Sequence, residues 1–430
     1  MDNSKKVLLI RNARQLLTME GDHNNDIGLI EGGSVLIRDG LIEAAGKAAE
    51  IDKLAEKLKA EGTEVETIDA SKKVVLPGFI DCHTHVTFGG SRVAAYSISV
   101  TDDNPETLVK KGIPTGIYAS VNMTVNLPKE ELKAQTKRRL ENMFMNGTTT
   151  LEGKSGYGLT MESEIRMLEV NRELNAELPL DIFSTFLGAH GWTEGMKKED
   201  YIDLLCKEMI PRVAEEKLAG CNDIWCDEGH YTAKECETVL AAGDYGLAPR
   251  IHTDAYSYIG GSDLAADMHM LSADHLNYTP VSVFQKLKDA DVTGVLLVGT
   301  DFAVNHAKQV NPRPMLEIGM DLGLATNCCP GCWCESMIFI LVLACRQHGF
   351  TPEEALRAAT KGAAKAMGLK DRGSLTPGKM ADLLILDTDT YEDLIYKYGR
   401  NPIETIIKKG KVTEKRQNLS GRLQGMICSP

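Results

Sequence analysis

The amino-acid sequence predicts an α/β protein: a (β/α)₈ TIM barrel joined to a small β-sandwich domain formed by the N- and C-terminal segments. Three observations carry this. Both chain ends are rich in short strand-like runs with tight turns. The middle alternates strand-like runs with amphipathic stretches. The alternating part holds eight such strands, the number a closed parallel barrel needs. Residues 1–76 with 375–430 are therefore the composite β-sandwich, and residues 77–374 the barrel.

Residues 7–11, 34–38 and 41–45 read as strands, the last two joined by an Asp39-Gly40 turn suited to a tight hairpin. Residues 51–61 read as a Lys/Glu-rich surface helix, residues 373–387 as a turn then a strand, and residues 405–412 as a further hairpin. The first barrel strand enters through Val74 to Leu76, crosses the Pro77-Gly78 break and ends near His85. Further strands are expected at residues 148–152, 181–187, 223–226, 248–252, 272–275, 294–297 and 323–326. Residues 129–145 and 162–174 are amphipathic helices between them. Residues 337–345 are a nine-residue apolar run, too short to span a bilayer and suited to a buried helix.

Composition narrows the function. Lys and Arg total 48 against 61 Asp and Glu, a net charge of −13, which argues against nucleic acid as a partner. The polar start, Met1 to Lys6, is no signal peptide, and a membrane role is not expected. The 11 cysteines are odd in number and scattered through apolar segments, which fits free thiols in a reducing cytoplasm better than a disulfide framework.

Barrel chemistry sits at the C-terminal ends of the strands. Side chains alternate along a strand, so His83 and His85 point the same way and can hold one divalent ion. The polar residues past the later strands are Glu152, Lys154, Tyr157, His190, Asp227, Glu228, His230, His252, Asp254, His275 and Asn327.

With these residues in place, the chain resembles the amidohydrolase superfamily and, within it, the imidazolonepropionases. The markers are Pro-Gly-Phe-Ile-Asp-Cys-His-Thr-His at 77–85, Phe-Gly-Gly-Ser-Arg at 88–92 and Lys-Ser-Gly-Tyr-Gly-Leu at 154–159. Phe-Leu-Gly-Ala-His at 186–190, Ile-His-Thr-Asp at 251–254, Ser-Ala-Asp-His-Leu at 272–276 and Glu-Ser-Met at 335–337 continue the series. Gly-Lys-Met-Ala-Asp-Leu at 378–383 is widespread in the superfamily. The resemblance implies His83, His85 and His252 as metal ligands, and Arg92, Tyr157 and His190 as substrate contacts. It implies that His275 polarises the scissile carbonyl or moves protons. The family reaction is hydrolysis of the ring amide of 4-imidazolone-5-propanoate to N-formimino-glutamate by a metal-activated water. Zinc, iron or manganese suits three imidazoles, nearby thiols tilt toward zinc or iron, and a homodimer is the superfamily expectation.

The sequence departs from the family pattern at the chemistry. Where imidazolonepropionases resemble Ala-Thr-Asp-x-Asn-Pro-Gly, residues 325–331 read Ala-Thr-Asn-Cys-Cys-Pro-Gly. Asn327 thus stands for the catalytic aspartate and Cys329 for a substrate-side asparagine. Ala255 stands for a glutamate, and Pro105 lies near where the family shows a substrate-contacting tyrosine. Asn327 can still offer a carbonyl oxygen to a metal, but it cannot take a proton at neutral pH. General-base catalysis is worth roughly 10²–10⁴ in rate, so a substitute is required. His275, the Asp227-Glu228-His230 group and a thiolate from Cys328, Cys329, Cys332 or Cys334 are the candidates.

Cys329-x-x-Cys332 has the spacing of half a zinc site or a redox pair, while the plainer reading is small loop residues in a reducing cell. Lys154 fits a one-metal context better than a carboxylated bridging lysine, and Glu152 is a candidate buried partner for it. Arg92 is either a surface arginine or a bidentate partner for a substrate carboxylate. His269 and His348 read as surface or packing residues, His306 is open, and Trp333 either stacks on a planar ring or closes the barrel mouth.

The resulting expectation is a cytoplasmic metal-dependent hydrolase that opens a cyclic amide or amidine C–N bond. Its substrate is a small nitrogen heterocycle with an acidic group: imidazolonepropanoate-like, hydantoin-like or purine-derived. The alternatives are a superfamily deaminase of a heterocycle and a catalytically impaired metal- or ligand-binding barrel.

Overall fold

The computed structural model describes residues 7–102, 104–242 and 245–415. Residues 416–430 of the expected composite domain, and the Met1 to Lys6 start, lie outside the described residues.

Strands from both chain ends form one mixed sheet. Its order is Lys411–Lys415, Ile403–Lys408, Leu383–Leu386, Val74–Pro77, Val7–Leu17, Leu29–Arg38 and Leu41–Lys47, with Val65–Asp69 also pairing Val7–Leu17. The sandwich is thus built from a single continuous sheet. The long Val7–Leu17 strand is irregular between Ile10 and Ala13; it pairs first with Val65–Asp69 and then with Val74–Pro77. Alternation along the strands explains the apolar runs. Leu8, Ile10, Val75, Leu383 and Ile385 enter the small-domain core. Val74, Leu76, Leu384 and Leu386 turn to the main core, so both faces are buried. Helix Ala48–Ala60 covers the outer face through Ile51 and Ala55.

The barrel strands are β1 (Phe79–Asp81), β2 (Thr148–Lys154), β3 (Asp181–Ala189), β4 (Cys221–Cys226), β5 (Ile251–Thr253), β6 (Ser272–His275), β7 (Thr293–Leu296) and β8 (Leu322–Leu324), all parallel neighbours in sequence order. A two-residue piece, Ala248–Pro249, pairs with β4 ahead of β5, splitting the fifth strand expected as one run. The first strand is also shorter than expected; residues 82–85 leave regular structure but keep their backbone partners. His83 O accepts from Asn327 N at 3.1 Å, and His85 N donates to Cys328 O at 3.0 Å. Those two bonds close the barrel between β1 and β8. Asp81 reinforces the seam by accepting from Thr326 N at 3.0 Å and Thr326 Oγ1 at 2.6 Å. Burial pushes its carboxyl up to about 7 against those hydrogen bonds.

The helices match the apolar periodicity: Lys129–Met145 and Met161–Glu177 cover β2 and β3, and Met337–Gln347 is largely buried. No helix among the described residues is long and apolar enough to cross a membrane.

Asp181, at the start of β3, ties the C-terminal segment to the base of the barrel. It accepts from Arg372 Nη1 at 2.6 Å, Lys408 Nζ at 2.9 Å and Lys409 Nζ at 2.7 Å. Burial alone would raise its carboxyl, but the three cations outweigh it and hold it well below the usual range. Asp181→Ala removes one of two carboxylate partners from each of the buried cations Arg372 and Lys408, which keep Asp371 and Asp382, and is expected to destabilise by about 2 kcal/mol in urea unfolding. A carboxyl depressed in the folded state stabilises above its unfolded pKa of about 4 and loses that contribution as pH falls below it. The wild type should therefore lose stability on acidification below about pH 4 more steeply than Asp181→Asn.

Candidate metal centre

At the C-terminal end of the barrel, five histidines meet. Ring nitrogens of His83, His252 and His275 lie within 4.8 Å of one another, and so do those of His85, His190 and His252. His252 is common to both sets; the trio implied by the family pattern, His83, His85 and His252, takes members from each. The Nε2 atoms of His85 and His252 are 3.3 Å apart. Two nitrogens bound to one tetrahedral ion at 2.0–2.1 Å would be about 3.3–3.4 Å apart. His83 Nε2 and Asn327 Oδ1 are buried with no hydrogen-bond partner, as a ligand atom left for a cation would be. The residues present fit a divalent ion.

Hydrogen bonds choose which ring nitrogens face inward. His83 Nδ1 donates to Asp274 Oδ2 at 2.6 Å, and His190 Nδ1 to Gly156 O at 3.1 Å, leaving each Nε2 as a lone pair. His252 Nδ1 lies 3.0 Å from Asp223 Oδ2, short enough for an ion pair although bent from a straight hydrogen bond. Burial holds His83, His85, His190 and His275 below the usual imidazole range, His190 at about 3, with neighbouring charged groups adding to it. They are neutral donors of lone pairs at neutral pH.

Asn327 has a left-handed backbone, φ +49°, and its Nδ2 donates to Thr300 Oγ1 at 2.8 Å, which turns Oδ1 toward the histidines. His275 has φ +85°. Non-glycine residues rarely adopt this conformation, and here two mark the ends of β6 and β8 beside the site.

A cavity of about 790 Å³ opens over the histidines. Its walls include Arg92, Tyr157, Tyr256, Thr300 and Cys329. Arg92 donates through Nη2 to Thr115 Oγ1 at 3.0 Å, while its buried Nε has no partner. Arg92 and Tyr157 both lie against Cys329. The structure thus gathers His85, His190, His252, His275, Arg92, Tyr157, Asn327 and Cys329 around one space, with His83 buried against His252 and His275. The described side chains do not include that of Pro105.

The other collected residues go elsewhere. Asp227 is saturated by the backbone N–H groups of Ala255, Tyr256 and Ser257 at 3.1, 3.1 and 2.7 Å, the Ser257 hydroxyl and the Trp225 indole. It is a loop clamp. Glu228 is exposed, and His230 stacks on Trp225. Asp254 is locked by Thr253 and Thr279. His306 stacks on Tyr256, His269 is partly exposed, His348 packs with Nδ1 on Val310 O, and Trp333 stands edge-on to Phe88. Lys154 is a buried ion-pair residue between Glu152 and Asp223, its ammonium engaged by both carboxylates.

Among the described residues, the groups of three or more side chains that could hold a metal contain histidines only. Cys329 and Cys332 exchange backbone hydrogen bonds of 3.1 and 3.2 Å, and the ten described cysteines are free. Burial pushes the thiols of Cys328, Cys329 and Cys332 up and that of Cys334 to about 11. None is a ready thiolate at neutral pH.

Sequence reasoning assigned no role to Asp223, Arg250, Asp274 or Thr300. The available signal was charge inside barrel strands, which is expensive to bury unless paired.

The comparisons with known proteins agree with this geometry. A model of the amidohydrolase family matches residues 230–413. An imidazolonepropionase of Geobacillus kaustophilus is 40% identical, covering 94% of this chain and 97% of its own. The chain belongs to the amidohydrolase family. An imidazolonepropionase of Porphyromonas gingivalis, 36% identical over 94% of this chain and 97% of its own, makes it an imidazolonepropionase-like amidohydrolase. The fold extends to a zinc-bound adenosine deaminase of Xanthomonas campestris, with TM-score 0.71, 17% identity, and 97% and 96% of the two chains covered.

The amidohydrolase barrel buries its loop thiols, and that is directly measurable. At pH 7.5, alkylation of Cys328, Cys329 and Cys332 mapped by mass spectrometry should be at least about tenfold slower in the folded than in the urea-unfolded chain. Equal rates would contradict the buried loop.

Proposed function

We propose that the chain is a metal-dependent hydrolase that opens a cyclic C–N bond in a small, planar nitrogen heterocycle bearing an acidic group. Imidazolonepropanoate, hydantoin-like, imidazolone and purine-derived rings make up the substrate class. The observation that carries this reading is the convergence of inward-facing histidine nitrogens and an arginine with no carboxylate partner on one cavity. The 36–40% identity to imidazolonepropionases over nearly the whole chain supports it.

His83, His85 and His252, with Asn327 Oδ1, would hold one divalent ion, zinc or iron, with manganese also suited to the donors. That ion would supply Lewis acidity and lower the pKa of water toward neutrality. Water adds through its oxygen to the ring carbonyl carbon, the C–N bond breaks, and the ring nitrogen leaves with a proton. His275 moves that proton. Asn327 cannot, Asp227 is saturated, Glu228 is exposed, His230 is stacked away, and the thiols are held protonated. His275 is neutral and stands with ring centroids 5.6 Å from His252 and 5.8 Å from His83. Arg92 pairs with the substrate's acidic group, Tyr157 and His190 flank the ring, and Cys329 forms the wall. The wider expectation keeps a homodimer in a reducing cytoplasm, in line with the free thiols.

A second reading, a barrel that binds metal or ligand with little turnover, is favoured by one observation, the amide at position 327. A superfamily deaminase is less well supported, since the usual carboxylates are absent at 255 and 327.

Metal analysis with a ring-opening assay decides among these. The wild type should carry about one divalent ion per chain and hydrolyse imidazolonepropanoate or a related lactam. His83→Ala combined with His85→Ala should lose both. His275→Asn should keep its metal and lose about 10²–10⁴ in kcat. Metal without turnover of any cyclic amide would establish the impaired barrel, and ammonia release from an exocyclic amine the deaminase. Arg92→Met should raise KM about 10–100-fold for an acidic ring substrate and much less for the same ring without its acid.

A further inference from the structure

Beneath the histidines lies a buried group of five charged side chains that the mechanism above does not use: Glu152, Lys154, Asp223, Arg250 and Asp274. Each is at most 1% exposed. Lys154 Nζ donates to Asp223 Oδ2 at 2.6 Å and Glu152 Oε1 at 3.0 Å. Arg250 donates to Glu152 Oε1 at 2.7 Å, to the carbonyl of Cys82 at 2.9 Å and to Asp274 Oδ2 at 3.3 Å. Ser272 Oγ donates to Asp274 Oδ1 at 2.6 Å. The two carboxylates nearest the histidines each reach a ring: Asp274 to His83 at 2.6 Å and Asp223 to His252 at 3.0 Å.

We propose that Asp223 and Asp274 are positioning residues for the metal centre. They hold His252 and His83 with Nε2 inward, and they supply from below the negative charge that the direct ligands lack. The proposal rests on the reading that these histidines hold a divalent cation.

Two features argue for more than a structural ion network. The first is direction. A carboxylate on Nδ1 selects the tautomer whose Nε2 lone pair faces the cavity, and His83 Nε2 is left buried and unpartnered. The second is charge. Three histidines and the amide of Asn327 contribute none, so a dication among them would be uncompensated in a low-dielectric site. The buried group carries three carboxylates against two cations, a surplus of one negative charge directly below the rings. Lys154 and Arg250 let three carboxylates be buried side by side without cancelling that surplus.

The test is the affinity of the purified full chain for Zn(II), measured by competition with a chromogenic chelator, alongside circular dichroism and apo-protein melting. Asp274→Asn and Asp223→Asn should each bind Zn(II) about 10–100-fold more weakly while staying folded. The visible spectrum of the Co(II)-loaded forms should change, reporting altered coordination. Asn327→Asp in the Asp274→Asn background returns one negative charge and should recover at least part of the affinity; no recovery overturns the charge argument. Ser272→Ala keeps every charge, removes the hydroxyl that donates to Asp274 and accepts from Arg250 Nε at 3.0 Å, and should weaken Zn(II) binding several-fold. If the Asn variants do not fold, unchanged affinity in Ser272→Ala overturns the proposal. Asn variants that melt lower yet bind Zn(II) like the wild type also overturn it, leaving the hydrolase reading intact. A wild type that binds no Zn(II), Fe(II) or Mn(II) ends both.

Discussion

The organising constraint is that charge buried in a barrel interior must be paired. Removing an ion from water costs several kcal/mol even after relaxation, and only close counter-charges and hydrogen bonds offset it. Here Glu152, Lys154, Asp223, Arg250 and Asp274 are packed together from four different strands or their immediate flanks. Burial alone would raise the Asp223 carboxyl and lower the Lys154 ammonium; His252 and Lys154 reverse the first, and Asp223 and Glu152 the second. The group can exist only if β2, β4, β5 and β6 hold one register, so the interior electrostatics and the barrel geometry specify each other.

The same constraint reaches the chemistry. The Asp274 carboxylate takes Nδ1 of His83, and the Asp223 carboxylate stands beside Nδ1 of His252. The remaining nitrogens converge above, against a cavity wall that carries Arg92 and Tyr157. At the rim, Asp227 is spent on the Ala255–Ser257 backbone, and Thr300 turns the amide of Asn327. With an amide at 327, the site still presents a buried side-chain oxygen without a hydrogen-bond partner, but no carboxylate at that position.

The cysteine loop shows how a local motif depends on its surroundings. Four thiols in seven residues, with a Cys-x-x-Cys spacing, invite a metal or redox reading. In the fold, Pro330-Gly331 makes a tight turn that pairs the backbones of Cys329 and Cys332, and the thiols of Cys328, Cys329 and Cys332 are buried. Cys329 and Cys332 both border the histidine cavity, Cys329 beside Arg92 and Tyr157, where its small volume shapes the wall. The spacing specifies a turn; what surrounds the sulfurs decides their chemistry.

Much of the architecture was legible in the sequence because it rests on local periodicity. Period-two apolar runs marked the strands, amphipathic stretches such as Lys129–Met145 marked the helices, and His-x-His after an apolar strand marked the active end of the barrel. What local pattern cannot carry is pairing between distant residues. The seam made by Asp81 with Thr326, the clamp of Asp227 on the loop after β5, and the partnership of Asp274 with His83 join positions tens to hundreds of residues apart. The sequence by itself determined the strand order, the family and the histidines that line the centre. Only the tertiary structure decided which nitrogen each ring presents and which carboxylates were consumed in holding the fold, because both depend on which charges share a buried, water-free space.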